Sequence, residues 1–182
     1  MDLNQIIHGC KNYNPNAQKR LFEIYSKTLF HLSLKYCRSF ADAQDNTQDS
    51  FITIYHKIHQ YRGKGSFEGW MKRIVINHAI DRYRAEIKTV TEDVPAVWLT
   101  EEPEIEDPET FPMEALIRMI QELPDQYRLV FSLYEMEHYS HAEIGSLLQI
   151  SEGTSRSNLS RAKQLLKSKI EQFSLHHKNH GT

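Results

Sequence analysis

Apolar residues recur along this chain at helical spacing, and no stretch of useful length alternates as a strand would. Phe51, Ile54, Tyr55 and Ile58 stand at i, i+3, i+4 and i+7, one face of a helix. The sequence predicts that helix from Asp42, as cap, to about Tyr61. Phe67, Trp70, Met71, Ile74 and Val75 mark a further helix, opened by Ser66 and reaching about Lys88. Upstream, residues 15–40 read as one or two helices rich in Leu, Phe and Tyr. In the second half, Met113–Glu122 is a short helix broken by Leu123-Pro124-Asp125. Another follows, with Leu129, Val130, Leu133 and Met136 inward. Ser140 and Glu143 form a capping box, S-x-x-E, that starts a helix with Ile144, Leu147 and Leu148 on its apolar face. Ile150 pins a short turn. Ser151 caps the final helix, whose inner stripe is Leu159, Ala162, Leu165, Leu166 and Ile170. From about Ser174 a frayed tail is expected. The fold class is all-α, ending in a helical hairpin.

Charge divides the chain more sharply than hydropathy. Residues 1–88 carry 14 Lys/Arg against 8 Asp/Glu, a net of +6. Residues 89–112 carry no Lys/Arg and 8 Asp/Glu, a net of −8, with four prolines and no helical period. Residues 113–182 hold 8 of each and are neutral. Two small helical domains, 1–88 and 113–175, are therefore expected on either side of an acidic, Pro-containing linker, with 176–182 as a tail. The N-terminus lacks a basic start followed by an apolar run, and no run approaches membrane-spanning length. Cys10 and Cys37 stand alone, as reduced thiols would. The expected location is cytoplasmic, without membrane insertion.

The outward faces carry the chemistry. On the final helix, Thr154, Arg156, Ser157, Asn158, Ser160, Arg161 and Lys163 share the polar side. Short polar groups reach base edges in a major groove and cations take phosphates, so this hairpin suits duplex DNA. The segment Arg62-Gly-Lys-Gly-Ser66, continued by Lys72 and Arg73, sets cations beside a flexible break and would draw phosphates. Phe67 and Trp70 fit the apolar stripe better than a stacking role. Arg73, Asn77 and Arg84 form another stripe. Asp45, Gln48 and Asp49 face outward, which by physics alone describes ordinary solvated surface. The histidine pairs His56/His59 and His138/His141 lack acidic or Cys ligands at metal spacing, and His176, His177 and His180 sit in the tail. No Walker A, G-x-S-x-G or dinucleotide glycine pattern occurs, and no nucleophile has its base. No catalysis, metal or cofactor is expected.

Two separated stretches resemble one family. The first is Asp42-Ala-Gln-Asp-Asn-Thr-Gln-Asp-Ser-Phe-Ile-Thr-Ile-Tyr-His-Lys-Ile58 with Gly65-Ser-Phe-Glu-Gly-Trp-Met-Lys-Arg-Ile-Val-Ile-Asn-His-Ala-Ile-Asp-Arg-Tyr-Arg84. The second is Leu123-Pro-Asp-Gln-Tyr-Arg-Leu-Val-Phe131 with Tyr139-Ser-His-Ala-Glu-Ile144 and Glu152-Gly-Thr154. In this order and spacing they are similar to the extracytoplasmic-function (ECF) group of bacterial RNA polymerase sigma factors. The resemblance implies regions 2 and 4, a polymerase-docking helix carrying Asp45, Gln48 and Asp49, and reading and melting of the promoter −10 element. For the latter it implies Asn77, with Lys64, Ser66, Lys72, Arg73 and Arg84 as neighbours in the sequence. It also implies a helix-turn-helix reading the −35 element, with Thr154, Ser155, Arg156, Asn158 and Arg161 as candidate DNA contacts. Core RNA polymerase, promoter DNA and a silencing anti-sigma factor are the implied partners, and the acidic linker would thread the polymerase cleft.

Several positions depart from the family pattern. Gln149 stands where glycine is common in the turn, which predicts a tighter or rebuilt turn. Ser155 replaces an apolar residue, Asn158 a basic one, and Asn46 and Thr47 are more polar than usual in the docking helix. Two other readings compete. A helix-turn-helix regulator acting without polymerase would bind duplex DNA as a dimer, yet the chain lacks a long heptad seam. A metal-dependent nucleic-acid enzyme would need ligand spacings that are absent.

Overall fold

Asn14, ahead of Pro15, starts the longest helix of the first half: its side chain accepts from the backbone amides of Asn16 and Ala17, and Pro15 occupies the first turn where no N–H is needed. In this computed structural model the backbone of residues 2–87 and 113–179, and side chains up to residue 174, are described. The expected linker, 89–112, and the end of the tail lie outside them. Eight α-helices form among the described residues, and no strand. The chain divides into two compact units, Met1–Arg82 and Tyr83–Thr182.

In the first unit, α1 (Leu3–Lys11) is closed by an Asp2/Gln5 capping box that the sequence reading passed over. Helix α2 is one continuous Pro15–Tyr36. Helix α3 (Phe40–Lys57) runs into a 3-10 turn, Ile58–Gln60. Its cap is Ser39, not Asp42: Ser39 Oγ accepts from the Asp42 amide at 3.1 Å and donates to the Asp42 carboxylate at 2.8 Å. Asp42 thus sits in the first turn, where a negative charge meets the helix dipole. Helix α4 (Phe67–Ile87) buries Phe67, Met71, Val75, Ile76, Ala79 and Ile80; Trp70 and Ile74, expected inside, are only half-buried.

Asn46 and Thr47, the polar pair of α3, lie in the core. Asn46 Nδ2 donates to Ser33 Oγ at 3.0 Å and to the Val75 carbonyl at 3.3 Å, joining α3 to α2 and α4. Thr47 Oγ1 lies 3.0 Å from Ser33 Oγ and donates to the Ala43 carbonyl at 2.7 Å. A buried polar group without such partners would be costly, so the network is satisfied as a set.

In the second unit, α5 (Met113–Gln121) and α6 (Asp125–Phe131) meet at a corner held by Arg128. This buried guanidinium donates to the carbonyls of Leu123 (2.8 Å) and Gln121 (3.1 Å) and pairs with Asp125. A π-helical turn, Ser132–Met136, leads on to α7 (His141–Leu148) and α8 (Glu152–Asn179). The core joins Met119, Ile120 and Leu123 to Ala162 and Leu166, with Ile170 and Phe173 packed at its edge. Leu165 lies off that stripe at 39% exposure. Helix α8 extends through His176 and His177 to Asn179, past the expected fraying point at Ser174.

Candidate polymerase and nucleic-acid interface

Three surfaces carry the predicted residues. On α3, Asp45, Gln48 and Asp49 are all exposed, while Ala43, Asn46, Thr47 and Ser50 between them are buried. Asp49 stands 3.9 Å, and Asp42 3.6 Å, from the Arg82 guanidinium of α4. All three groups are well solvated, so the pairing contributes little energy.

The second surface is the loop before α4 and the helix's outer stripe. Gly63 and Gly65 both adopt positive φ, +74° and +78°, so only glycine fits this path without strain. The loop is pinned at its base, where the Tyr61 hydroxyl donates to the Gly65 carbonyl at 2.8 Å and Ser66 Oγ caps α4 through the Gly69 amide at 3.0 Å. Lys64, Ser66, Arg73 and Asn77 are exposed. Arg73 and Asn77 lie one turn apart, on the same helix side as Ser66. Among the described residues, Arg62, Lys64 and Arg73 meet no carboxylate. Lys72 is half-buried and paired with Glu68 at 2.7 Å. Arg84, also half-buried and on the same helix, donates to the Leu147 carbonyl. Trp70, missed as a surface residue, flanks the loop: its ring packs against Phe67 (5.6 Å) and Tyr61 (5.7 Å) while staying partly open to solvent.

The third surface is the hairpin of α7 and α8. The Ser140/Glu143 box forms as expected; the Ser140 hydroxyl, donating to Glu143 at 2.7 Å, and then the Ser140 amide, at 2.8 Å, hold the Glu143 carboxyl below its ordinary range. Ser151 caps α8 by accepting from the Thr154 amide at 3.0 Å. Gln149 takes the left-handed conformation, φ +58° and ψ +42°. The turn therefore keeps the shape a glycine would give it and is not rebuilt. Gly145, not Gln149, is the glycine the turn requires: a Cβ there would lie 2.9 Å from the Ile150 carbonyl oxygen.

Two candidate DNA contacts on α8 are displaced by this geometry. Ser155 is 0% exposed and its hydroxyl bonds His141 Nδ1 at 2.9 Å. Asn158 is 3% exposed and donates to Gln126 Oε1 at 2.7 Å. Both belong to the hairpin core and cannot reach a base. Their spacing told as much: Ser155 precedes Leu159 by four residues, and Asn158 precedes Ala162 by four, so each continues the inward stripe. The exposed side instead presents Arg156 and Ser157, with Thr154, Ser160 and Arg161 at its margins. Arg156 pairs with Glu152, and Arg161 Nη1 donates to the Tyr127 hydroxyl at 3.3 Å.

His141 is held inside this hairpin by its bond to Ser155 and by stacking on Tyr134, ring centroids 4.5 Å apart. Burial first, then the nearby cations Arg156 and Lys163, push its pKa below the usual histidine range; Glu152 acts the other way. Among the described residues, no group of three or more His, Cys, Asp or Glu side chains could hold a metal ion, and no helix is long and apolar enough to cross a membrane.

The sigma-70 region 2 family profile matches residues 21–89, and the sigma-70 region 4 profile matches residues 113–166. Together these matches cover most of each helical unit, in order, leaving α1 and the end of α8 outside. The chain belongs to the sigma-70 family. Its relatives place it in the ECF group of that family. It is 28% identical over 155 residues to the ECF RNA polymerase sigma factor SigE of Mycolicibacterium smegmatis, covering 82% of this chain and 60% of that protein. It is 26% identical over 182 residues to the ECF RNA polymerase sigma factor SigW of Bacillus subtilis, covering 93% of this chain and 97% of that one. Among solved structures, the sigma factor RpoE in complex with the anti-sigma factor NepR from Bartonella quintana shares the fold. The TM-score is 0.51 at 15% identity, over 84% of this chain and 96% of that one. In sigma terms, α3 and α4 lie within the region 2 match, and α5, α6, α7 and the first part of α8 lie within the region 4 match.

Proposed function

We propose that this chain binds core RNA polymerase and directs it to promoters with separate −10 and −35 elements. In this reading α3 docks on the polymerase through Asp45, Gln48 and Asp49. The glycine loop and α4, with Lys64, Ser66, Arg73 and Asn77, read and help open the −10 element. Helix α8, through Arg156, Ser157 and its Thr154, Ser160 and Arg161 margins, reads the −35 element from the major groove. One observation carries the assignment within region 2: the acidic α3 face and the cationic loop-and-α4 face are both exposed within one unit, held together by the buried Asn46 bonds. A single rigid body can then meet a protein on one face and DNA on another.

The chain supplies no catalytic group of its own; its work is differential binding. Cations give salt-dependent affinity and a few side chains give sequence choice. The acidic segment 89–112 carries the charge of a short polyanion, which suits a cleft built for nucleic acid. An anti-sigma protein that silences the chain would cover the α3 face and the α8 face. The cytoplasm is where these partners meet.

The test is to mix the purified protein with bacterial core RNA polymerase, follow co-elution, and assay initiation on a pool of random promoters. Co-elution with new start sites supports the reading. The double variant Gln48→Ala/Asp49→Ala is expected to lose polymerase affinity with its helical content intact; unchanged affinity would remove the docking assignment. Tight binding to duplex DNA by the free protein, with no polymerase association, would favour an independent regulator.

A further inference from the structure

A track of partly open rings leads away from the −10 loop. Trp70 packs against Tyr61, centroids 5.7 Å apart; His59 lies two residues before Tyr61 on the same short segment; and Tyr13, in the turn between α1 and α2, meets His59 at 5.7 Å. Lys11 ties the end of α1 to this segment by donating to the Tyr61 carbonyl at 3.0 Å. Tyr13 is 69% exposed, although its φ of +56° is a conformation that glycine or asparagine would adopt more easily.

Along the chain segment that carries His59 and Tyr61, the charge has one sign. No carboxylate occurs between Asp49 and Glu68, and Glu68 is engaged by Lys72. Within that interval Lys57, Arg62 and Lys64 are exposed and, among the described residues, form no ion pair. Flat rings flanked by unneutralised cations fit an unpaired nucleic-acid strand, because every base offers a face to stack and every nucleotide a phosphate. A duplex hides its base faces, and an acidic peptide would leave the rings without a role.

We propose that Tyr13 and His59 extend the DNA surface of region 2, taking bases of the unpaired promoter strand that adjoins the −10 element. This rests on the sigma reading above, since polymerase must first open the DNA. It adds a stacking position outside the loop and α4 residues already assigned.

The experiment uses holoenzyme and a single strand from a promoter selected in the random pool, in two lengths: the −10 element with its flanks, and the −10 element alone. Wild-type holoenzyme is expected to bind the flanked strand more tightly. Tyr13→Ala is expected to remove roughly five- to one-hundred-fold of affinity for that strand and none for the short one. Tyr13→Phe is expected to retain the wild-type preference, and His59→Ala to weaken it. Equal affinity of wild type for both lengths, or a Tyr13→Ala loss that is absent or the same on both, overturns the extension and leaves the −10 assignment standing. Holoenzyme that binds neither strand overturns both.

Discussion

Replacing Asn158 by Ala separates readout from packing. The structure spends this amide inside the hairpin, where Nδ2 donates to Gln126 Oε1 at 2.7 Å and the residue is almost fully covered. Truncation leaves the Gln126 oxygen without that donor, a loss of about 1–3 kcal/mol. For a helical unit of this size that lowers the melting midpoint by roughly 5–20 °C. Arg156→Ala does the reverse. Its guanidinium is exposed and, among the described residues, pairs with Glu152 alone, so stability should change by less than about 0.5 kcal/mol. If Arg156 reads a base, promoter choice at one −35 position should relax by about 1–3 kcal/mol. Tryptophan fluorescence would miss the first effect, because Trp70 and Trp98 both lie outside residues 113–182. Amide hydrogen exchange of α7 and α8 peptides gives stability, and transcription from a promoter library randomised over the −35 element gives preference. Asn158→Ala should speed exchange and leave base preference alone. Unchanged exchange with a shifted −35 preference would refute the inward placement of Asn158.

Three further outcomes test the hairpin. Gly145→Ala drives a Cβ to 2.9 Å from the Ile150 carbonyl, so we expect a loss of about 1–3 kcal/mol and weaker use of all −35-dependent promoters, read by the same exchange and transcription assays. Gln149→Gly relieves a left-handed residue that costs about 1–2 kcal/mol, partly offset by glycine's greater freedom when unfolded; a net gain of up to about 1 kcal/mol is expected in denaturant titration, and a loss would contradict the turn geometry. His141, with its pKa lowered in the fold, binds its proton more readily when unfolded. Its contribution is therefore present above the unfolded value near 6.5 and lost as pH falls below it. Hairpin stability should drop more steeply between pH 7.5 and 5.5 in wild type than in His141→Gln, and parallel slopes would refute the assignment.

Helical period, caps and charge blocks were legible in the sequence because each is a local property. The Ser140/Glu143 box, the Ser151 cap and the Phe51/Ile54/Ile58 stripe all form where the pattern puts them. The misplacements share a physical cause. Ser155 and Asn158 occupy inward helical positions but carry the polar atoms a DNA-facing surface would also show, as do the buried Asn46 and Thr47 of α3. Hydrogen-bond partners that make such burial tolerable are distant in sequence: Gln126 for Asn158, Ser33 and Val75 for Asn46. No local pattern announces them. The choice between Ser39 and Asp42 as cap was equally hidden, since both can cap and three residues separate them. Trp70 was hard to place for the opposite reason, as an aromatic at the edge of the stripe can be half in and half out.

The relation between the docking face and the DNA face depends on which α3–α4 ties survive when polymerase binds. Polar ties between these helices include Asn46 to the Val75 carbonyl, Thr53 Oγ1 to His78 Nε2 at 2.8 Å, and Arg82 to Asp42 and Asp49. The last involves Asp49, which the proposed docking would also use. It is solvated on both sides and worth at most about 1 kcal/mol. The Asn46 tie is buried, so breaking it would leave the Val75 carbonyl without that donor, at about 1–3 kcal/mol. In the proposed docking, a polymerase cation would take Asp49 from Arg82 at little cost while α4 keeps its place. Arg73 and Asn77 would then be offered to DNA from the same position whether or not the proposed docking face is occupied, and the buried polar residues of α3 would make that possible.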